Sequence, residues 1–309
     1  IDWSSLLFTI DFFRRFLEKM EERGFLFKST FFLRADEQIQ NLCGQYSAAF
    51  MKFYDTITEF FSVGWHPHLF RWSDRSHCWH QEYMNNQWIN QVLTECFEDL
   101  KSHGFFVEFS KMGWCFHNNE SMKTVSDLGI KADFSALPGA QRPGRLVGGV
   151  SFQDKFDWSK TKQRPYHPNE FDYQKKGSLQ ILEIPLTTYE VRGLAIFLYT
   201  TKLAFTSYVR RDFSFKPSSR IMAPLFLPNL IGTQNLGQLI ELMLRSSKTN
   251  YITMYLHPDN LLDTRARVVF ENFIDQLILA TDRHNVKISF VDAPELYAVS
   301  THKSDIDTL

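Results

Sequence analysis

Ile10, Phe13, Leu17 and Met20 recur at spacings of three or four, and Asp11, Arg14, Arg15, Glu18, Lys19, Glu21 and Glu22 fill the opposite positions. That period predicts a helix with one apolar stripe, ended by Gly24. The apolar run at 29–33 predicts a buried strand. A helix over 36–54 and a strand at 60–63 follow. Ile89, Val92, Leu93, Cys96 and Leu100 mark another helix, stopped near Gly104, and 105–109 alternates like a strand. Positions 120–128 predict a helix stopped by Gly129, then a strand at 130–134. Residues 139–178, rich in Pro, Gly, Lys and aromatics, interrupt the pattern and predict a long excursion at one face. Beyond them lie a strand at 179–185, a helix at 236–244 and a strand at 251–256. A helix over 265–284, with Val268, Val269, Phe273, Leu277 and Ile278 inward, and a strand at 286–291 complete the chain. Alternation of helix and short apolar strand predicts an α/β fold with parallel strands. Its even spacing favours one barrel-like domain over 1–309.

Composition narrows the partners. The 309 residues are 44% hydrophobic and 22% charged, as in a soluble globular protein, and the net charge of −1 gives no reason to expect nucleic acid. No run of 18 apolar residues is present, so no membrane span is expected. With no signal peptide visible, a cytoplasmic location is expected over a secreted one. Cys43, Cys78, Cys96 and Cys115 are dispersed without a Cys-x-x-Cys pair, which predicts reduced structural thiols rather than a zinc ribbon. The 30 Phe residues are mostly core candidates, each contributing about 1.5–3 kcal/mol when fully buried.

The chemistry concentrates in Val63-Gly64-Trp65-His66-Pro67-His68, where an apolar run delivers two imidazoles separated by one proline. Imidazole is the commonest protein ligand for divalent transition metals. A metal-dependent hydrolase is therefore weighed against a pair of partly exposed loop histidines. A second run, Tyr251-Ile252-Thr253-Met254-Tyr255-Leu256-His257-Pro258, ends the same way. Trp65, Trp72, Trp79, Trp114 and Trp158 lie near the proposed loops and could stack on sugar rings or fill the core. Tyr166, within Arg164-Pro165-Tyr166-His167-Pro168, is a candidate wall of the groove.

The order of these pieces resembles the polysaccharide deacetylase (NodB-homology) superfamily, carbohydrate esterase family 4. The matching segments are Asp2-Trp3, read as an acidic strand end, Ser29-Thr30-Phe31-Phe32, Gly64-Trp65-His66-Pro67-His68, Leu128-Gly129-Ile130-Lys131-Ala132-Asp133-Phe134-Ser135, Leu182-Glu183-Ile184-Pro185 and Leu256-His257-Pro258. The resemblance implies a distorted (β/α) barrel with a divalent metal, expected to be zinc, that removes acetyl groups from a sugar or surface polysaccharide. It implies Asp2, His66 and His68 as metal ligands, with an aspartate at or before Asp2 as base. His257 is the expected general acid, with Asp133 as its partner. Lys111 stands where the family has an arginine, and Trp65, Lys111, Trp114 and Tyr166 are the substrate-binding candidates.

The departures matter. The family's metal histidines are usually four apart, but Phe70 occupies that position, so His68 is preferred, ahead of His77 and His80. Asp11 is set aside because it falls on the charged face of the first helix. Two other readings stay open: a non-catalytic carbohydrate-binding relative, and a metal-dependent barrel enzyme of the amidohydrolase type.

Overall fold

The computed structural model describes residues 3–147, 150–191, 221–226, 237, 240, 244 and 251–304. Asp2 and most of the helix expected at 236–244 lie outside the described residues. In chain order the elements are α1 (Trp3–Glu22), β1 (Thr30–Leu33), α2 (Glu37–Cys43), α3 (Ala48–Thr58), β2 (Ser62–Trp65), β3 (Phe70–Ser73), β4 (Cys78–Gln81), α4 (Asn86–Ser102) and β5 (Phe109–Ser110). Next come α5 (Asn119–Asp127), β6 (Ala132–Asp133), β7 (Gln141–Val147), β8 (Val150–Asp157), β9 (Leu182–Glu183), β10 (Thr188–Val191) and β11 (Ile221–Pro224). α6 (Thr264–Arg283) and α7 (Ala293–Ser304) end the series. No helix among the described residues is long and apolar enough to cross a membrane.

Strands β1, β2, β5, β6 and β9 form one parallel sheet in that order. Each strand joins the one before it, so the winding never reverses, and the connecting helices collect on one side as they do in a barrel. One row of the register runs Leu33, Trp65, Ser110, Asp133, Glu183. Past β9 the succession thins to single bonds. Leu225 N–H donates to the Thr187 carbonyl (2.7 Å) and Tyr255 N–H to the Leu225 carbonyl (3.2 Å). The strand expected at 251–256 is thus one parallel bridge, Phe226 with Tyr255. The strand expected at 286–291 makes no ladder; Phe290 instead packs its ring on Phe25 and Phe27. A mixed α/β fold with a parallel central sheet is therefore present, and no closed barrel is formed among the described residues.

Two apolar layers sandwich this sheet. On the helix side Leu33 and Trp65 pack with Ile39, Phe53, Leu93 and Phe97. On the other, Phe109, Ala132, Phe134, Leu182 and Ile184 pack against Ala293 and Leu296 of α7. Alternation along each strand sorts the two sets. A third cluster joins α1 to α6, where Phe12 and Phe16 meet Phe270. Lys19–Glu271 and Arg23–Asp275, each at 2.6 Å, lie at its exposed rim.

Several expectations are corrected. Trp3, expected in a strand end, instead opens α1, whose apolar period reaches back through Leu6 and Leu7. The helix at 36–54 is two helices: Gly44, at φ 64°, ends α2 in the left-handed region, and the Ser47 hydroxyl caps α3 by accepting from Phe50 N–H. Val268 is not inward but 53% exposed, and Ala266 and Phe270 fill the buried stripe in its place. The excursion at 139–178 contains the antiparallel hairpin β7–β8 and then a loop held by Trp158, which is fully buried.

A polar seam crosses the helix side of the sheet. Asp133 is fully buried, accepts from the Ser110 hydroxyl (2.5 Å) and the Ser135 N–H (2.8 Å), and pairs with His117 Nε2 at 3.3 Å. Burial alone would raise its pKa, but His117, Ser110 and Ser135 outweigh that and hold it below the usual carboxylate range. Glu183, next in the same row, is also fully buried; desolvation and the Asp133 charge push its pKa well up. Its Oε1 accepts from Ala136 N–H (2.8 Å), while Oε2 has no acceptor role to fill. The pair therefore holds one negative charge, with the proton on Glu183.

Because folded Glu183 keeps a proton that the unfolded chain releases above about pH 4.5, stability falls as pH rises from there toward the folded pKa. Glu183→Gln keeps the acceptor for Ala136 and removes that loss. Its melting temperature should rise relative to wild type at pH 8 and match it near pH 4.5. Thermal melts of both proteins across this range check it, and parallel profiles would refute the shared proton.

Candidate active site

The carboxyl ends of the parallel strands collect the polar groups, as the ends of barrel strands do. His66 follows β2, Lys111 follows β5, and Arg34 follows β1. Each lies two positions beyond an inner-face residue (Gly64, Phe109 and Phe32), so strand alternation carries all three to the same side. The ladder continues past the strands: His66 N–H donates to the Leu33 carbonyl (2.8 Å) and Lys111 N–H to the Trp65 carbonyl (2.9 Å).

His66 Nδ1 donates to the Lys111 carbonyl, which leaves Nε2 as a lone pair. His68 Nε2 lies 3.1 Å from that atom, with the two rings at 89°. His68 stacks on Phe70 and meets the edge of Trp114. Both pKa values are well below the ordinary imidazole value, first through burial and then through neighbouring charge: Lys111, His257 and Arg34 act on His66, and the other histidine, Arg34, Lys111 and His257 act on His68. Two neutral imidazoles with converging nitrogens are what a divalent metal requires. Nitrogens sharing one tetrahedral zinc at about 2.0–2.1 Å stand about 3.3 Å apart, close to the observed separation. His66 also has the backbone acceptor on its far nitrogen that metal-bound histidines usually have. Buried His68 Nδ1 has no hydrogen-bond partner among the described residues. Among the described residues no group of three or more His, Cys, Asp or Glu could hold a metal ion. The residues present fit two ligand positions, and Asp2, the expected third, lies outside the described residues.

His257 joins this cluster. It precedes the 3₁₀ turn Pro258–Leu262, and its backbone N–H donates to Asn260 Oδ1 (2.9 Å). Its ring lies near those of Phe226 and Tyr255, and desolvation followed by Lys111 lowers its pKa. Lys111 is 6% exposed; its ammonium lies 3.5 Å from Cys115 Sγ and 4.5 Å from the Tyr255 ring centre. Cys115 is buried, which raises its thiol pKa. Arg34 is anchored through Nε to Asp36 Oδ2 (2.6 Å).

The structure thus brings His66, His68, His257, Lys111 and Trp114 together. It separates others. Asp133 is not the partner of His257, because its row position turns it to the helix side and against His117. Trp65 is not a sugar platform: it is fully buried, and its indole N–H donates to the Ala35 carbonyl (3.2 Å). Trp158 is equally buried. Tyr166 is half-buried, bridges to Glu183 and donates its hydroxyl to the Tyr173 carbonyl (2.8 Å). His77 occupies the exposed turn of hairpin β3–β4, and His80 is buried on β4. Asp11 is exposed and pairs with Arg14 at 3.0 Å. Arg34, Cys115 and Tyr255 were absent from the expected set. Counting alternation two residues past the Phe32 strand finds Arg34, but nothing local marks Cys115.

One loop fixes His68. The turn Gly113–Cys115 brings Gly113 against its ring: a Cβ at Gly113 would lie 2.4 Å from His68 Cγ. The next two residues, Trp114 and Cys115, take φ of 57° and 56°. Side chains rarely adopt that region, and such strain persists only where its surroundings impose it. Here Trp158 Nε1 donates to the Cys115 carbonyl (2.7 Å) and Gly113 N–H to the Pro67 carbonyl (2.7 Å).

No family model matches the chain, and no curated protein is similar to it in sequence. Among solved structures it is similar to one from Mycobacterium smegmatis, described provisionally as a polysaccharide deacetylase. The identity is 12%, the TM-score 0.45, and the match covers 94% of this chain and 77% of that one.

Nitrogen-detected imidazole spectra at pH 6 should show His66 and His68 neutral, since lowered pKa values postpone protonation to more acid pH. Gly113→Ala should displace the His68 ring into solvent and return its titration toward the ordinary value near 6.5. Wild-type rings that both titrate near 6.5 would refute the buried, converging pair.

Proposed function

We propose that the protein is a metal-assisted deacylase acting on an acylamino group of a sugar or surface polysaccharide. The observation that carries this reading is the convergence of the His66 and His68 Nε2 atoms, 3.1 Å apart, beyond the end of β2. A divalent ion, expected to be zinc, would be held by His66, His68 and an aspartate at or before Asp2. When bound, such an ion lowers the pKa of water and polarises a carbonyl. The remaining work falls to this chain's own residues. The Lys111 carbonyl holds the His66 ring in one tautomer and direction. His257 would deliver a proton to the leaving nitrogen, which departs poorly as an anion. Trp114, 44% exposed beside His68, offers a face for a sugar ring.

One observation favours the alternative of a non-catalytic carbohydrate-binding relative. The end of β1, beside the histidine loop, carries Arg34, and the nearest carboxylate, Asp36, is consumed by Arg34 and by the Ile39 N–H that it caps. No base therefore stands at that strand end among the described residues.

Metal analysis separates the readings. Purified wild type should hold about one divalent ion per chain, and His66→Ala should lose it. Wild type without metal after growth in zinc would move the assignment to the binding protein. With a substrate found among N-acylated sugars, His257→Ala should retain metal and folding while losing about 10²–10⁴-fold in turnover. Undiminished turnover in that variant would remove His257 as the acid.

A further inference from the structure

The Lys111 ammonium is the least explained group in the molecule. Its side chain is buried, yet among the described residues it makes no ion pair. Its contacts are the Cys115 sulfur and the Tyr255 ring face. The thiol is no counter-ion, because burial raises its pKa. Of the other cations nearby, Arg34 already has Asp36, and Arg142 acts on Cys115 and Tyr255. A buried ammonium without a carboxylate is costly unless something compensates it. An oxyanion brought by a ligand would supply that compensation.

We propose that Lys111 is the counter-ion of an oxyanion carried by the ligand, so that the site prefers an acidic sugar, one bearing a carboxylate or a phosphate ester, over a neutral one. The inference rests on the reading of this mouth as a sugar site and adds the charge of the sugar to it. Cation–π contact with Tyr255 and the sulfur of Cys115 hold the ammonium in place without neutralising it. Its charge stays available to a second partner. Lysine suits this task because its ammonium is a compact point charge that accepts either oxyanion geometry.

The test is calorimetric binding to the purified full chain at low ionic strength. The probes are N-acetylglucosamine, its 1-phosphate, the corresponding N-acetylated uronic acid, and inorganic phosphate alone. Wild type should bind at least one acidic sugar about tenfold or more tightly than the neutral one, the range for a charge-assisted hydrogen bond. Which acidic sugar wins distinguishes carboxylate from phosphate. Lys111→Met should erase the preference. Lys111→Arg should restore part of it.

Should Lys111→Met fail to fold, the salt dependence of wild type decides: the preference must shrink as ionic strength rises. Equal affinity for acidic and neutral sugars, or a preference that survives Lys111→Met, overturns the proposal. Phosphate that binds wild type and not Lys111→Met, with no sugar bound at all, keeps the oxyanion site and refutes the sugar reading instead. No binding of any probe overturns both.

Discussion

The parallel register of the sheet is the constraint on which everything else depends. It aligns Leu33, Trp65, Ser110, Asp133 and Glu183 in one row facing the helices. The residues one step later, Arg34, His66 and Lys111, then reach the other side. Side-chain direction alternates with period two, so a slip of one residue would exchange the two sets. His66 would enter the core and Trp65 the mouth. Burial prevents this, because the indole of Trp65 and the charge of Asp133 fit only where they are. The apolar packing on the helix side thus fixes the position of polar groups on the opposite face of the sheet.

Two ionisable clusters sit on opposite faces of the same short strands and solve burial differently. Asp133 keeps its charge by collecting donors from Ser110, Ser135 and His117, and Glu183 gives its charge up. At the mouth, His66 and His68 give up theirs and Lys111 retains a place for one. The first cluster lies wholly within the sheet and its helices, with Glu183 Oε2 left without a hydrogen-bond partner among the described residues. In the second, His68 Nδ1 lacks a partner and Lys111 an anion among the described residues.

Much of the fold was legible in the sequence. Strand positions at 29–33, 60–63 and 130–134, the helices after them, and Gly104 and Gly129 as stops were within reach of periodicity, since each rests on local preference. The break at Gly44 was not seen, because apolar residues continue through it and the stop comes from backbone conformation at one position. Residues 251–256 and 286–291 have strand composition but few or no ladder partners, and pairing is a property of the neighbours. At the site, the His-Pro endings led to His66, His68 and His257. Asp133 and Trp65 were assigned to the wrong side for a single reason: strings of residues carry no label for which parity faces inward until the register is known.

The hydrogen bond from Trp158 to the Cys115 carbonyl links the excursion to the turn that seats His68. Swinging the excursion aside would strand a buried indole N–H and expose its ring, at a cost of several kcal/mol. The tie makes this part of the rim a fixed jamb rather than a door. For a ligand of the kind proposed, selection at that edge would be by aperture: a molecule would enter if its outline already fits, without a closing motion of this segment to improve the fit afterwards.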